Sequence, residues 1–242
     1  MRRVTMLSMG VLALTSLACG GAIDAIEQLD RPPAPWDGEH DVRLTLACES
    51  DCAGGTAVLV GRLESLGVDY RVHEVSADSL ELTLEGVGDL SLLKEGWLSH
   101  GVLGFHRVVP AGTPGAASIC DPREDPCQPL SYDPVPALDH SHLSGASLDV
   151  DDLGLPVLMV HWTEPGRAAF HELSTGLVDR KLLVLLDDEV LMAPIVREPI
   201  DNPSAMISLG HSSDEAEVDL ILAAVANPPL QGDWLITTEG QP

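Results

Sequence analysis

Apolar and polar positions along this chain fall into blocks whose period switches between two and about 3.6, and each switch marks an element boundary. Residues 41–48, DVRLTLAC, alternate as a strand. The next segment puts Leu59, Leu63 and Leu66 on one helical face, with Asp51 as its expected cap and Gly67 as its stop. Tyr70 to Val75 and Leu80 to Leu84 read as strands joined by a hairpin loop over 76–79. A short helix near 91–99 and a strand over 102–109 follow. Strand, helix, strand, strand, helix, strand is the order of a ferredoxin-like module. Gly61 inside the first helix costs about 1 kcal/mol relative to alanine unless it permits close packing.

Between 110 and 154 the periodicity breaks down and proline and glycine are dense, so a long connector or an irregular insertion with a few short strands is expected. Regularity returns with a strand over 156–162 and a helix capped by Thr163, with Ala169, Phe170, Leu173 and Leu177 on one face. KLLVLLDDEVLMAPIVREPI, residues 181–200, then gives two apolar runs, Leu182 to Leu186 and Val190 to Val196, about an Asp187-Asp188 turn. Pro194 in the second run marks an edge or a bulge. Val190, Met192, Pro194 and Ile195 form a candidate partner-binding edge, able to pair with an extended polypeptide. A short strand over 205–209 comes next, then a helix through Ala226 that opens on a Ser212/Glu215 capping box and stops at Pro228-Pro229. A last edge strand is expected over 234–238. The fold class expected is α+β: a ferredoxin-like βαββαβ module at 41–110, the irregular connector at 111–154, and an α/β module with a central hairpin at 155–242.

Composition narrows the function. With 45% hydrophobic but only 3% aromatic residues, leucine, valine and alanine must fill the core. A formal charge of −25 leaves no cationic excess to neutralise phosphates, which excludes non-specific nucleic-acid binding and disfavours an anionic lipid surface. Arg2 and Arg3, the apolar run Val4 to Leu14 and the sequence TSLAC form an export signal over residues 1–18. Its end resembles a bacterial lipobox, which makes Cys19 the lipidated first residue of the mature chain, followed by a linker over 19–40 that contains RPPAPWDG. Gly20 after that cysteine favours the periplasmic face of the outer membrane. No later segment is long enough to cross a bilayer, so the expected attachment to the membrane is the N-terminal lipid alone.

Cys48, Cys52, Cys120 and Cys127 remain, an even set that suits two disulfides in an oxidising compartment. The local pairings, Cys48 with Cys52 and Cys120 with Cys127, are favoured because each closes a short loop. The spacings suit a four-thiolate zinc site poorly. Nucleophile-elbow, phosphate-loop and dinucleotide motifs are absent, so no catalytic residue, cofactor or metal is expected. Asp187, Asp188 and Glu189 read as solvated turn residues, and His171 and Glu172 as surface residues of a helix. His140 and His142, beside Asp139, carry the alternative reading: a periplasmic solute- or metal-binding lipoprotein.

The stretch VHWTEPGRAAFHELSTGLVDRKLLVLLDDEVLMAPIVREPI resembles the head of the large periplasmic domain of SecD, a subunit of the SecDF protein-export complex. Trp162-Thr163, Gly166, Phe170, Leu173, Thr175, Leu186-Asp187, Val190, Ala193-Pro194 and Ile200 stand at positions of that family's pattern. LVGRLESLGVDYRVHEV and GVLGFHRVV are similar to the ferredoxin-like base of the same domain. The chain departs from the pattern at Asp188, which replaces the hairpin glycine, at Asn202-Pro203-Ser204 and at Gly210-His211-Ser212-Ser213. The resemblance implies a base and a head, no enzymatic activity, and a polypeptide or envelope-protein partner, with an accessory role in protein export. It does not extend to the membrane-spanning part of SecD, so the expectation is a stand-alone lipoprotein without it.

Overall fold

Leu44, Leu46, Leu80, Leu82 and Leu84 alternate along β1 (Asp37–Cys48) and β3 (Ser79–Val87), and all are fully buried. That alternation commits one face of the first sheet to the interior. The computed structural model describes residues 36–88, 90–121, 126–209 and 215–241. With elements numbered in chain order, its first sheet is antiparallel, ordered β13-β1-β3-β2, where β2 is Tyr70–Val75 and β13 is Trp234–Gly240. Three helices pack over the buried face: α1 (Gly55–Ser65), α2 (Leu90–Trp97) and α4 (Glu215–Ala226). They pack closely. A Cβ on Gly96 would collide with Leu220, and one on Gly61 would stand 2.6 Å from the Asn227 side chain, so the helix-weakening Gly61 is matched by close approach. The opposite face is polar, with Arg43 Nε donating to Glu81 at 2.7 Å and Arg71 paired with Glu85 at 2.6 Å.

Three expectations need correction. The linker does not run to residue 40: Trp36 is 1% exposed and β1 already begins at Asp37, because burying the indole draws the strand start back. Asp51 does not cap α1. The cap position is Gly54 in the left-handed region, and Asp51 itself has φ 52° within the loop that the Cys48–Cys52 disulfide closes. Finally, the strand expected to complete the first sheet, β4 (Leu103–Arg107), pairs elsewhere, and β13 takes its place beside β1. The reason lies in its burial. Leu103 to His106 are buried in succession, which suits a strand with neighbours on both sides and not a half-exposed edge. The signal peptide, Cys19 and Ser212 of the expected capping box lie outside the described residues.

The second half of the chain builds two further antiparallel sheets. One has the order β11-β10-β4-β7, with β7 at Leu138–Asp139, β10 at Leu182–Leu186 and β11 at Glu189–Met192. The other has the order β12-β9-β8, with β8 at Leu143–Val150, β9 at Pro156–Trp162 and β12 at Ser204–Ser208. A short ribbon, β5 (Ala117–Ile119) with β6 (Leu130–Tyr132), follows β4, and Cys120 is bonded to Cys127 between its strands. Helix α3 (Glu164–Gly176) starts at Thr163, whose hydroxyl accepts from the Gly166 N–H at 3.1 Å. Both phenylalanines of the chain lie in this core with Trp162: Phe105 is edge-on to it at 5.2 Å and Phe170 stacks on it at 4.7 Å. Val218 and Val225 of α4 belong to the same core, so this helix binds the two halves together. The fold is mixed α+β. The ferredoxin-like module is completed only by the C-terminal helix and strand, after the second core has been built within it.

Candidate functional site

The hairpin β10–β11 turns through Asp187 and Asp188, both at positive φ, 49° and 67°. Two such residues between paired strands are the signature of the tight hairpin turn that matches strand twist, usually built with Asn-Gly or Asp-Gly. Asp187 is not a solvated turn residue. Its carboxylate accepts from the Gly101 N–H at 2.8 Å and the Val102 N–H at 2.7 Å. Those amides belong to the crossover from α2 to β4, whose carbonyls are held from the other side by Arg62. The Arg62 side chain is fully buried and its guanidinium donates to the carbonyls of Trp97 (3.0 Å), Ser99 and His100 (3.0 Å). Burial lowers its pKa to about 10, and the Asp187 charge acts in the opposite sense. The return crossover toward β13 is stitched to the same point, the Leu230 N–H donating to the His100 carbonyl at 2.7 Å.

Of the two histidines of the alternative reading, His142 is held in a local hydrogen-bonded turn. Asp139 accepts from the Ser141 N–H at 3.0 Å and the Ser141 hydroxyl at 2.6 Å, and His142 Nδ1 lies 2.9 Å from the same carboxylate oxygen. The Ser141 bonds, first, and the His142 bond hold its carboxyl below the usual range. The His142 carbonyl in turn receives the Thr163 N–H at 2.9 Å, and Gly166 rests so close to it that a Cβ would collide. The turn at 140–142 is therefore a platform for the start of α3. His140 is partly buried, and burial first, then the nearby Arg62 charge, lower its pKa against the pull of Asp139. Among the described residues no three His, Cys, Asp or Glu side chains come together as a metal site, so the H-x-H motif gives the alternative no support. His171 and Glu172 are exposed on α3.

The open feature lies at the other end of the hairpin. A groove of about 370 Å³ runs between the segment 192–200 and β12. Its floor is Phe105, Phe170, Leu182, Val184 and Ile207, and its walls include Met192, Pro194, Ile195, Ile200, Ala205 and Met206, with Arg197, Glu198 and Asn202 as polar groups. Both walls are sheet margins, since β11 ends one sheet and β12 ends the other. Of the four expected edge residues, Met192, Pro194 and Ile195 line the groove, whereas Val190 sits near the turn and does not. The Leu182 N–H donates to the Pro194 carbonyl and the Val196 N–H to the Arg180 carbonyl, each at 2.9 Å. Pro194 thus continues the hairpin beyond β11. Sequence reasoning missed the β12 wall, whose short SAMIS run carries no mark of an edge.

Comparison with known proteins places this groove in a family context. The family model described as SecDF, P1 head subdomain, matches residues 118–226. The SecD subunit of the protein translocase from Petrotoga mobilis is 35% identical over 85 residues, covering 35% of this chain and 18% of that protein. The SecD subunit from Rhodobacter capsulatus is 27% identical over 175 residues, covering 69% of this chain and 32% of that protein. The similarity thus spans a third or less of the length of these relatives. Among solved structures, one described as a membrane component SecDF that enhances protein export superposes with TM-score 0.60 at 20% identity, over 81% of this chain and 98% of that one. A crystal structure of SecDF in the super-membrane-facing form gives TM-score 0.61 at 20% identity, over 87% of this chain and 32% of that one. Sequence similarity over the head and fold similarity over most of the chain agree: this is a fold of the SecD/SecDF periplasmic type, carrying a region similar to the SecDF P1 head subdomain.

Proposed function

We propose that the chain is a non-enzymatic, lipid-anchored protein of the cell envelope, on the periplasmic face of the outer membrane, that binds polypeptide or an envelope protein in the groove. It acts beside a membrane partner as an accessory to protein export. The observation that carries this reading is an apolar groove opening between two sheet margins, with its walls at 192–207 inside the stretch similar to the SecDF head. Such a groove offers what an extended chain needs: apolar surface for side chains and strand edges for its backbone. The lipid anchor rests on the sequence at 15–19, and no helix among the described residues is long and apolar enough to cross a membrane.

Photocrosslinking in cells tests the binding role. A photoreactive residue at Ile195 is expected to trap polypeptide, and one at Val75, more exposed and on the margin of the first sheet, is not. Labels at Val190 and Ile195 that both trap neither translocating chains nor envelope proteins contradict the proposal. The anchor is tested separately: Cys19→Ala should release the protein from the membrane fraction.

A further inference from the structure

The groove has two strand margins, and they differ in how well they could receive another strand. The Trp162 N–H donates to the Pro203 carbonyl at 2.9 Å, which makes residues 203 and 162 a hydrogen-bonded pair of the β12–β9 ladder. Alternation along an antiparallel ladder then turns the backbone groups of Ala205 and Ile207 toward β9, and those of Ser204, Met206 and Ser208 outward. The outward groups recur at every second residue, the spacing a new strand requires. Met206 is 54% exposed, and small serines flank it, so a chain can approach closely. The other margin is blunted. β11 takes up an extra residue, Leu191, opposite the Val184–Leu185 step of β10, which breaks the regular spacing of its outer edge.

The charge of the molecule narrows the occupant. With 13 Lys and Arg against 38 Asp and Glu, the long-range field draws cationic segments and repels acidic ones. We infer that β12 is the docking strand, and that its ligand is an extended polypeptide segment of alternating apolar and basic residues, added to the outer edge of β12 with apolar side chains in the groove. This rests on the polypeptide-binding reading above and names the ligand class and the pairing strand.

Fluorescence anisotropy with labelled synthetic peptides tests it on the mature chain. A peptide of alternating valine and lysine should bind at least about tenfold more tightly than its valine and glutamate counterpart. Met206→Pro removes one outward N–H where an edge strand tolerates proline, and should weaken binding about tenfold. Met206→Ala, which takes a side chain from the groove wall and keeps the backbone edge, should weaken binding less than Met206→Pro does. Methylating alternate backbone nitrogens of the peptide should weaken binding to the unaltered protein as Met206→Pro does, and this decides the matter if that variant fails to fold. Binding that survives both Met206→Pro and peptide methylation overturns β12 as the docking strand while leaving the groove reading in place. Equal affinity for the lysine and glutamate peptides overturns the charge selection. Failure of every peptide to bind overturns the groove reading with it.

Discussion

The hairpin β10–β11 is one apolar element with two unlike ends. At its tip the polar groups are turned inward: Asp187 holds the amides of Gly101 and Val102, while Arg62 holds carbonyls of the same crossover. At its far end, Pro194 and Ile195 wall an apolar groove, and Ile195 is 44% exposed. The closed end shows what the molecule does with polar groups that serve the fold. They are hydrogen-bonded to distant segments, Arg62 from full burial and Asp187 from partial burial. Apolar surface and strand margins left open at the other end stand on a framework held rigid by the first, which is the arrangement a binding site needs.

If the closed end is the scaffold, breaking it should cost stability throughout. Arg62→Met takes the side-chain donor from the carbonyls of Trp97 and Ser99, and should lose on the order of 4 kcal/mol in urea unfolding, with Arg62→Lys recovering only part because it lacks the planar fork. Asp187→Ala leaves the two crossover amides without their carboxylate and should lose about 2–3 kcal/mol. Asp188, at φ 67° with no such role, should show the opposite sign: Asp188→Gly relieves the left-handed backbone and should raise stability by about 0.5–1 kcal/mol in the same assay. The smallest effect is a pH slope. His140 has a folded pKa below its unfolded value, so its contribution is present above the unfolded pKa near 6.5 and is lost as pH falls through the lowered folded pKa. Unfolding at about pH 7.5 and about pH 5.5 should show stability falling with pH, and His140→Gln should flatten the slope. None of these substitutions touches the groove, so peptide affinity per folded molecule should hold. A loss of affinity with Asp188→Gly would show that the two ends are not separable.

Much of this was legible in the sequence because period-two and helical periods mark elements whatever their partners. The αβ order, the Thr163 cap, the hairpin turn and the apolar Pro194 margin are all local signals. Partnership is not local. Asp187 and Val102 are 85 residues apart, so nothing near the turn distinguishes a structural carboxylate from a solvated one. The exchange of β4 for β13 was hidden for the same reason, although LGFHR, buried without alternation, carried a trace of it. β8 falls in the stretch that reads as a connector or an insertion with a few short strands, because LSGASLDV mixes glycine and serine into the strand, and it is held by its long register with β9. The groove was half visible: its hairpin wall announced itself by proline in an apolar run, and its β12 wall did not.

The central claim is that an extended polypeptide occupies this groove as a strand. Amide hydrogen exchange on the mature chain, with and without the valine and lysine peptide, tests it most directly. The outward amides of Met206 and Ser208 should exchange quickly in the free protein and become protected on adding peptide, while the amides of β2 stay unchanged. Amides along β12 that exchange equally fast with peptide bound, or protection that falls on the margin of the first sheet instead, would contradict the account.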